Sequence, residues 1–395
     1  MVGLALRNIR GNPTRSLIIF LCILGVAGFF VSITLIVRGA DNSLHAGLDR
    51  LGADIVVVPE GAESKVETAL LMGKPTDIWM STDYVQKIAR VPGIESVSPQ
   101  IYLHSLYGAS CCAVSEMFLV VFDPATDFTI TPWLQRNLGR GLAKGEIIGG
   151  SYIFVPPGEK DIMLYGYHLT LRGNLEPTGT GLDQTMFFTS ETALDMANSS
   201  LTSAESPLVI PPNKISALMV KVTPEADAHA VSLQILRDVL GVFPIESPNL
   251  FGAFRHQMLG LLWVFLIVLI LAWVLATLLI GLIFSIVINE RRQEIGVLRA
   301  LGATRWFVFR SVLFEAALLA FAAAGIGVSV AAFIIYILRD SITNSLEMPF
   351  LFPSFSYIMA LLVVVIALSL ITVTVAVFLP AFMISKGEPA VAMRE

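Results

Sequence analysis

Four long apolar runs, residues 17–37, 259–288, 307–338 and 355–384, constrain this chain more than any other feature. Each exceeds the roughly 20 residues that a helix needs to cross bilayer hydrocarbon, and only the third carries charges, Arg310 and Glu315. Composition agrees: 55% of residues are hydrophobic and 14% charged, with a mean hydropathy of +0.75, where soluble domains average roughly 25% charged. Pro380 near the end of the fourth run is tolerated in a membrane helix. The expected fold is membrane α-helical, four transmembrane helices with a large mixed α/β extracytoplasmic domain inserted between helices 1 and 2.

Orientation follows from positive charge beside the span ends. Arg7, Arg10 and Arg15 precede the first run, Arg291, Arg292, Arg299, Arg305 and Arg310 gather around the gap between the second and third, and Lys386 and Arg394 follow the fourth. These short pieces are expected in the cytoplasm of a bacterial cell (inner) membrane protein, with both termini inside. The boundaries expected are then a cytoplasmic segment 1–15, spans at 16–37, 259–288, 307–338 and 355–384, a cytoplasmic segment 289–306, an extracytoplasmic domain 38–258, a short extracytoplasmic loop 339–354 and a cytoplasmic tail 385–395. The first run is too long for the 7 to 15 residue core of a cleaved signal peptide, so it is expected to stay as a span. Residues 4–10, ahead of Pro13, read as a short amphipathic helix on the inner leaflet.

The 38–258 segment is long enough to bury its own core and is expected as two lobes. It holds 15 basic and 24 acidic residues, a balance that argues against nucleic-acid binding. Apolar or β-branched runs between turn residues predict strands at 54–58, 96–106, 117–122, 146–148, 185–188 and 215–222. Helices are predicted at 81–90 and 224–240, and the Pro, Gly and Ser-rich stretches 176–181 and 202–213 are expected as surface loops.

Between the second and third runs lies Asn289-Glu-Arg-Arg-Gln-Glu-Ile-Gly-Val-Leu-Arg-Ala-Leu-Gly-Ala303. Ile295, Leu298 and Leu301 recur every three residues and share a helical face, Glu290, Arg291, Arg292, Glu294 and Arg299 cover the remainder, and Gly302 is a helix stop. This insert resembles the segment between the second and third spans of MacB/FtsX-like permeases, the membrane subunits of the type VII (mechanotransmission) ABC systems. The opening Leu4-Ala-Leu-Arg-Asn-Ile-Arg-Gly-Asn-Pro-Thr-Arg-Ser16, the run Thr304-Arg-Trp-Phe-Val-Phe-Arg310, Phe314-Glu-Ala-Ala-Leu-Leu319, Ala324-Gly-Ile-Gly327, Pro380-Ala381 and Glu388-Pro-Ala-Val-Ala-Met-Arg394 are similar to the same family. The stretch Val91-Pro-Gly-Ile-Glu-Ser-Val-Ser-Pro99 resembles its periplasmic domains only in general style.

The resemblance implies a cytoplasmic ABC ATPase dimer, binding ATP and Mg, that docks on a coupling helix formed by Glu290, Arg291, Arg292, Glu294, Ile295, Gly296, Leu298, Arg299, Leu301 and Gly302. It also implies a second permease copy or paralogue and an extracytoplasmic accessory protein. The sequence contains no Gly-x-x-x-x-Gly-Lys-Ser/Thr loop, so the energy source is expected on another chain, and no cofactor is expected here. Two functions fit: efflux or extraction of an amphipathic substrate such as a drug, haem, peptide or lipoprotein, or an FtsX-like signalling scaffold that activates a cell-wall hydrolase without moving cargo. The second span, about 45 Å at roughly 1.5 Å per residue, exceeds the hydrocarbon's roughly 30 Å and either tilts or projects as a stalk.

Single residues add less. Glu315 within a span reads first as an ion-paired structural carboxylate and second as part of a proton relay, for which no further ionisable residue follows until Arg339. Gly325 and Gly327 read as a close helix contact. Cys22 reads as packing. Cys111 and Cys112, with His104, Glu116 and Met117 nearby, are open to metal or haem contact, a disulfide or ordinary packing. The histidines His45, His104, His168, His229 and His256 are scattered without a catalytic motif.

Overall fold

The computed structural model describes residues 9–11, 13–74, 76–104, 118–155, 158, 160–204, 206–290, 297, 302–344 and 348–386. Among these, the helices are α1 (Pro13–Leu51), α2 (Glu63–Met72), α3 (Asp83–Ala89), α4 (Thr131–Leu138), α5 (Ser190–Ser203), α6 (Ala228–Asp238), α7 (Gly252–Glu290), α8 (Arg305–Asn344) and α9 (Phe355–Lys386). The strands are β1 (Ile55–Pro59), β2 (Met80–Ser81), β3 (Ile94–His104), β4 (Phe118–Phe122), β5 (Glu146–Gly149), β6 (Ile162–Leu164), β7 (Tyr167–Asn174), β8 (Thr185–Thr189), β9 (Lys214–Ile215), β10 (Ala217–Val222) and β11 (Val242–Glu246). The chain divides into a helical unit, Met1–Arg38 with Gln257–Arg339 and Phe352–Glu395, and an α/β unit, Gly39–His256 with Asp340–Leu351.

In the helical unit, α1, α7, α8 and α9 are each long and apolar enough to cross a membrane, and the protein is a multi-pass membrane protein. Their hydroxyls fold back on to their own helices, which removes unpaired polar groups from an apolar surrounding. Ser32 donates to Gly28 O at 2.9 Å, Thr34 to Phe30 O at 2.8 Å, Thr277 to Trp273 O at 2.7 Å and Thr374 to Leu370 O at 2.7 Å. The shared core joins Ile19 and Ile23 of α1, Ile280 and Phe284 of α7, Ala316, Ala320 and Ala323 of α8, and Val373 and Val377 of α9. The three alanines lie four and three residues apart on one face of α8, so neighbouring backbones approach closely there. As a result α8 is the central helix: 44% of its most apolar window is buried, against 6% for α7.

The α/β unit is organised by one nine-stranded sheet, in the order β11-β1-β10-β3-β4-β8-β5-β7-β6, which runs through the segment expected as two lobes. β4 pairs with β8 and β5 with β7 in parallel, and the other neighbours are antiparallel. The central strands are apolar throughout because both sheet faces are covered. In β1, Val56 and Val58 join one core while Ile55 and Val57 join another. In β4, Phe118, Val120 and Phe122 face the first core, and Leu119 and Val121 enter a third. This is the two-residue period of a strand expressed in packing. The first core also takes in Leu44 and Leu51 of α1, Val66 and Leu70 of α2, Leu250 and Phe251, so the end of α1 and the approach to α7 are built into the sheet's foundation. α1 stops at Gly52, whose φ of +60° and N–H bond to Leu48 O at 3.2 Å form a left-handed cap.

The predicted strands and the helices at 81–90 and 224–240 correspond to β1, β3, β4, β5, β8, β9 with β10, α3 and α6, with ends shifted by a few residues. The stretch 176–181 departs from expectation. It is a buried turn at its second half, with Thr178 and Thr180 each 1% exposed, because Asp183 satisfies its backbone from within.

Glu146 on β5 is the α/β unit's strongest charge cluster. It is 6% exposed and accepts from Arg140 at 2.7 and 3.0 Å, from Arg172 at 2.7 Å and from the Ala143 N–H at 2.9 Å. The Arg140 hydrogen bond, reinforced by Ala143 and Arg172 against the opposing effect of burial, brings its pKa down to about 2. A carboxylate lowered in the fold adds stability above its unfolded pKa of about 4.5, and that stability is lost as pH falls toward the folded value. Both arginines are half-exposed, so the contribution is modest, about 1–2 kcal/mol at neutral pH. In thermal melts of the full chain in detergent, Glu146→Gln is expected to melt below the parent at neutral pH, with the gap closing as pH is lowered through about 4 to 3; a gap independent of pH would refute the assignment.

Candidate functional site

At one end of the helical unit, α1 begins and α7 ends. Arg15 in the first turn of α1 pairs with Glu290 at the end of α7, tying the two helices together. Glu290 is the last described residue before the charged insert. Arg291, Arg292, Glu294, Ile295, Gly296, Leu298, Arg299 and Leu301 lie outside the described residues. Val297 is helical and 54% exposed, and Gly302, where a helix stop is expected, has a φ of +100°. Thr304 then caps α8, its hydroxyl accepting from the Phe307 N–H at 3.2 Å. Trp306 stacks on Phe309 at 5.3 Å between ring centres, and Phe309 meets Phe378 of α9 edge-on at 6.0 Å, which fastens the entry of α8 to the far part of α9.

The three singled-out residues of α8 separate. Glu315 is not a free carboxylate, since it has an interaction partner. Gly327 faces α1: a Cβ there would stand 3.0 Å from Leu24 O and 3.4 Å from the Ala27 Cβ. Gly325 faces open space, with nothing within 4 Å of such a Cβ. Within the chain, Gly327 is the one of the pair that meets a neighbouring helix. A second crossing joins α7 to α9, where a Cβ on Gly281 would meet Ala376 O at 3.0 Å, and the Trp273 indole N–H donates to the Thr372 hydroxyl at 2.8 Å.

Beside that bond α1, α7 and α9 leave a cleft of about 220 Å3, bounded by Ile23, Phe30, Leu269, Trp273, Leu368 and Thr372 among others. Trp273 and Thr372 satisfy each other, and the Thr372 hydroxyl donates onward to Leu368 O at 2.8 Å. The cleft therefore offers an occupant mainly apolar contact, with the Ser369 hydroxyl also in its lining.

Cys111, Cys112, Glu116 and Met117 lie outside the described residues, and His104 is described only as the last residue of β3. Among the described residues no group of three or more His, Cys, Asp or Glu is placed to hold a metal ion. The sequence reading passed over Asp183. Its carboxylate, 1% exposed, accepts from the Thr178 N–H at 2.8 Å, the Thr178 hydroxyl at 3.0 Å and the Gly179 N–H at 2.6 Å. Burial pushes its pKa up, and these hydrogen bonds pull it back. The alternation Thr178-Gly-Thr-Gly-Leu-Asp183 is the available signal: small residues that fit a tight turn, followed by an acceptor that can fill it.

The architecture defines a class, a polytopic membrane protein with an α/β unit inserted between its first and second spans. Residues 266–389 match the family described as FtsX-like permease C-terminal. The chain is also similar to the periplasmic region of MacB from Actinobacillus actinomycetemcomitans, with a TM-score of 0.33 and 9% identity over 52% of this chain and 94% of that one. A second likeness is to the extracellular domain of the noncanonic ABC-type transporter YknZ from Gram-positive bacteria, at a TM-score of 0.28 and 10% identity over 49% of this chain and 99% of that one. Superpositions this loose carry no argument. No curated protein matches the chain.

The contrast between the two glycines is testable. Gly327→Val drives a branched side chain against the α1 backbone and is expected to destabilise by about 1–3 kcal/mol, seen as a lower melting temperature in detergent, whereas Gly325→Val leaves it nearly unchanged. Equal effects at both positions would contradict the crossing.

Proposed function

We propose that this chain is the membrane permease of an ATP-driven system that extracts or exports an amphipathic molecule, and that its α/β unit works outside the cytoplasm. The observation that carries this reading is the FtsX-like permease domain across residues 266–389, a range that includes most of α7, the charged insert, α8 and α9. Short basic segments beside the span ends favour cytoplasmic termini and a cytoplasmic insert. An ATPase dimer, which binds the ATP and Mg, docks on the insert, and a second permease copy or paralogue completes the complex.

In this mechanism the chain catalyses nothing and transmits force. Closure of the ATPases displaces the insert, and with it the end of α7, which Glu290 and Arg15 couple to the start of α1. α1 and α7 are each 39 residues, about 58 Å at roughly 1.5 Å per residue, so each is long enough to carry displacement beyond the roughly 30 Å of hydrocarbon. The cleft beside Trp273, lined mainly by apolar side chains and with the Trp273 and Thr372 polar groups satisfying each other, favours an apolar or acyl-bearing cargo over a polar one. Haem, drugs, peptides and lipoproteins all fit that description, and an extracytoplasmic accessory protein would receive them.

Charge reversal at Glu294→Lys and insertion of a charge at Leu298→Glu are each expected to reduce permease-stimulated ATP turnover to the unstimulated rate, with the amount of chain in the membrane unchanged. Turnover that stays at the parent's level would exclude the insert as the coupling element. Co-purification with a cell-wall hydrolase and no bound amphiphile would replace transport by signalling.

A further inference from the structure

The connection Asp340–Leu351 joins α8 to α9, two helices of the helical unit, yet it clusters with Gly39–His256. Its described end is held by main-chain bonds: the Phe350 N–H donates to Gly179 O and the Leu351 N–H to Gly39 O, each at 3.0 Å. Phe350 is 5% exposed, and its ring fills the space that any side chain at Gly39 would need. At Gly179, φ is +71° and a Cβ would collide with the Phe350 carbonyl at 2.4 Å. The same turn is gripped elsewhere. The Thr180 methyl stands 3.0 Å from where a Gly47 Cβ would be, and Gly181 lies against the backbone of Gly73 so tightly that no side chain fits. Asp183 fixes the turn from inside through Thr178 and Gly179.

Four chain segments therefore interlock through close glycine contacts: α1 at Gly39 and, less tightly, at Gly47, the end of α2 at Gly73, the turn 178–183, and residues 348–351. Three of them are bound by Asp183's hydrogen bonds, helix packing or covalent continuity within the unit. The fourth is joined by the chain to α8 and α9, and it meets α1 and the turn through the Phe350 ring and the Phe350 and Leu351 N–H bonds among its contacts. Such a contact opens and recloses without repacking the sheet, because the ring leaves a seat formed by glycine backbone.

We propose that Phe350 is a releasable latch, which clips the α8–α9 connection to the α/β unit at rest and lets go during each cycle. This rests on the permease reading above and adds a third route for force, besides α1 and α7, between the spans and the α/β unit. The last two spans are thereby coupled to the working unit in one half of the cycle and uncoupled in the other.

Hydrogen exchange on the full chain in nanodiscs, purified with its ATPase partner, tests this at the Phe350 and Leu351 amides. At rest a peptide covering 348–354 is expected to exchange slowly, and Phe350→Ala to raise its exchange by about tenfold while peptides from β1 and β10 keep their protection. Phe350→Leu should restore part of it, and Gly39→Ala should mimic the loss from the opposite side of the contact. Added ATP should raise exchange in that peptide of the unmodified complex. Fast exchange at rest, or protection lost throughout the α/β unit in both Phe350→Ala and Gly39→Ala, would overturn the latch. Stimulated turnover with no ATP-dependent change in this peptide would overturn it too and leave the permease reading standing. No stimulation of turnover by the unmodified chain would defeat that reading, and the latch with it.

Discussion

Hydrocarbon offers no partner to a backbone N–H or C=O, and everything else in this protein is arranged around that constraint. It obliges α1, α7, α8 and α9 to run unbroken and obliges their serines and threonines to bond back to the preceding turn. An unbroken helix is also stiff. Because α1 continues as helix to Leu51 and contributes Leu44 and Leu51 to the largest apolar core of the α/β unit, the element that satisfies the bilayer also founds the sheet. The residues around the start of α7, Leu250 and Phe251, enter the same core. Displacing either helix end displaces groups that the sheet cannot lose.

Two kinds of contact then divide the labour. Large apolar side chains, such as Phe118, Phe122 and Tyr102, hold the sheet by buried area, which is cooperative and costly to disturb. Glycine seats hold close crossings by fit: Gly327 against α1, Gly281 against α9, and Gly39 and Gly179 against Phe350. A crossing built on glycine brings backbones together with little interdigitation, so it resists overlap strongly and sliding or separation less.

Much of this is legible in the sequence, for identifiable reasons. The spans are readable because their apolar runs outlast any ordinary core helix, and β1, β4 and β8 because both faces are covered and the runs are continuous. β7 is not, since Tyr167-His-Leu-Thr-Leu-Arg-Gly-Asn174 lies toward an edge with most side chains partly exposed, and β11 hides behind Pro244. α5 goes unpredicted because its serines and threonines obscure the helical pattern, yet the Thr189 hydroxyl caps it by accepting from the Thr192 N–H, and Ala193 and Met196 anchor it. Within the candidate site, Gly325 and Gly327 are equivalent in sequence and differ only in which way α8 turns them. Phe350 gave no signal, because its partners Gly39 and Gly179 lie more than a hundred residues away, and the signal for Asp183, the Thr-Gly-Thr-Gly alternation before it, sits in a turn that composition labels as surface.

The account stands on the α/β unit lying outside the cytoplasm while the insert lies within it. The most direct measurement is labelling of intact cells with a membrane-impermeant maleimide, using chains in which Cys22, Cys111 and Cys112 are serine and a single cysteine replaces Leu240, 84% exposed, or Trp306, 62% exposed. Leu240→Cys should label in intact cells and Trp306→Cys only after permeabilisation. The reverse pattern, or labelling of both before permeabilisation, would contradict it.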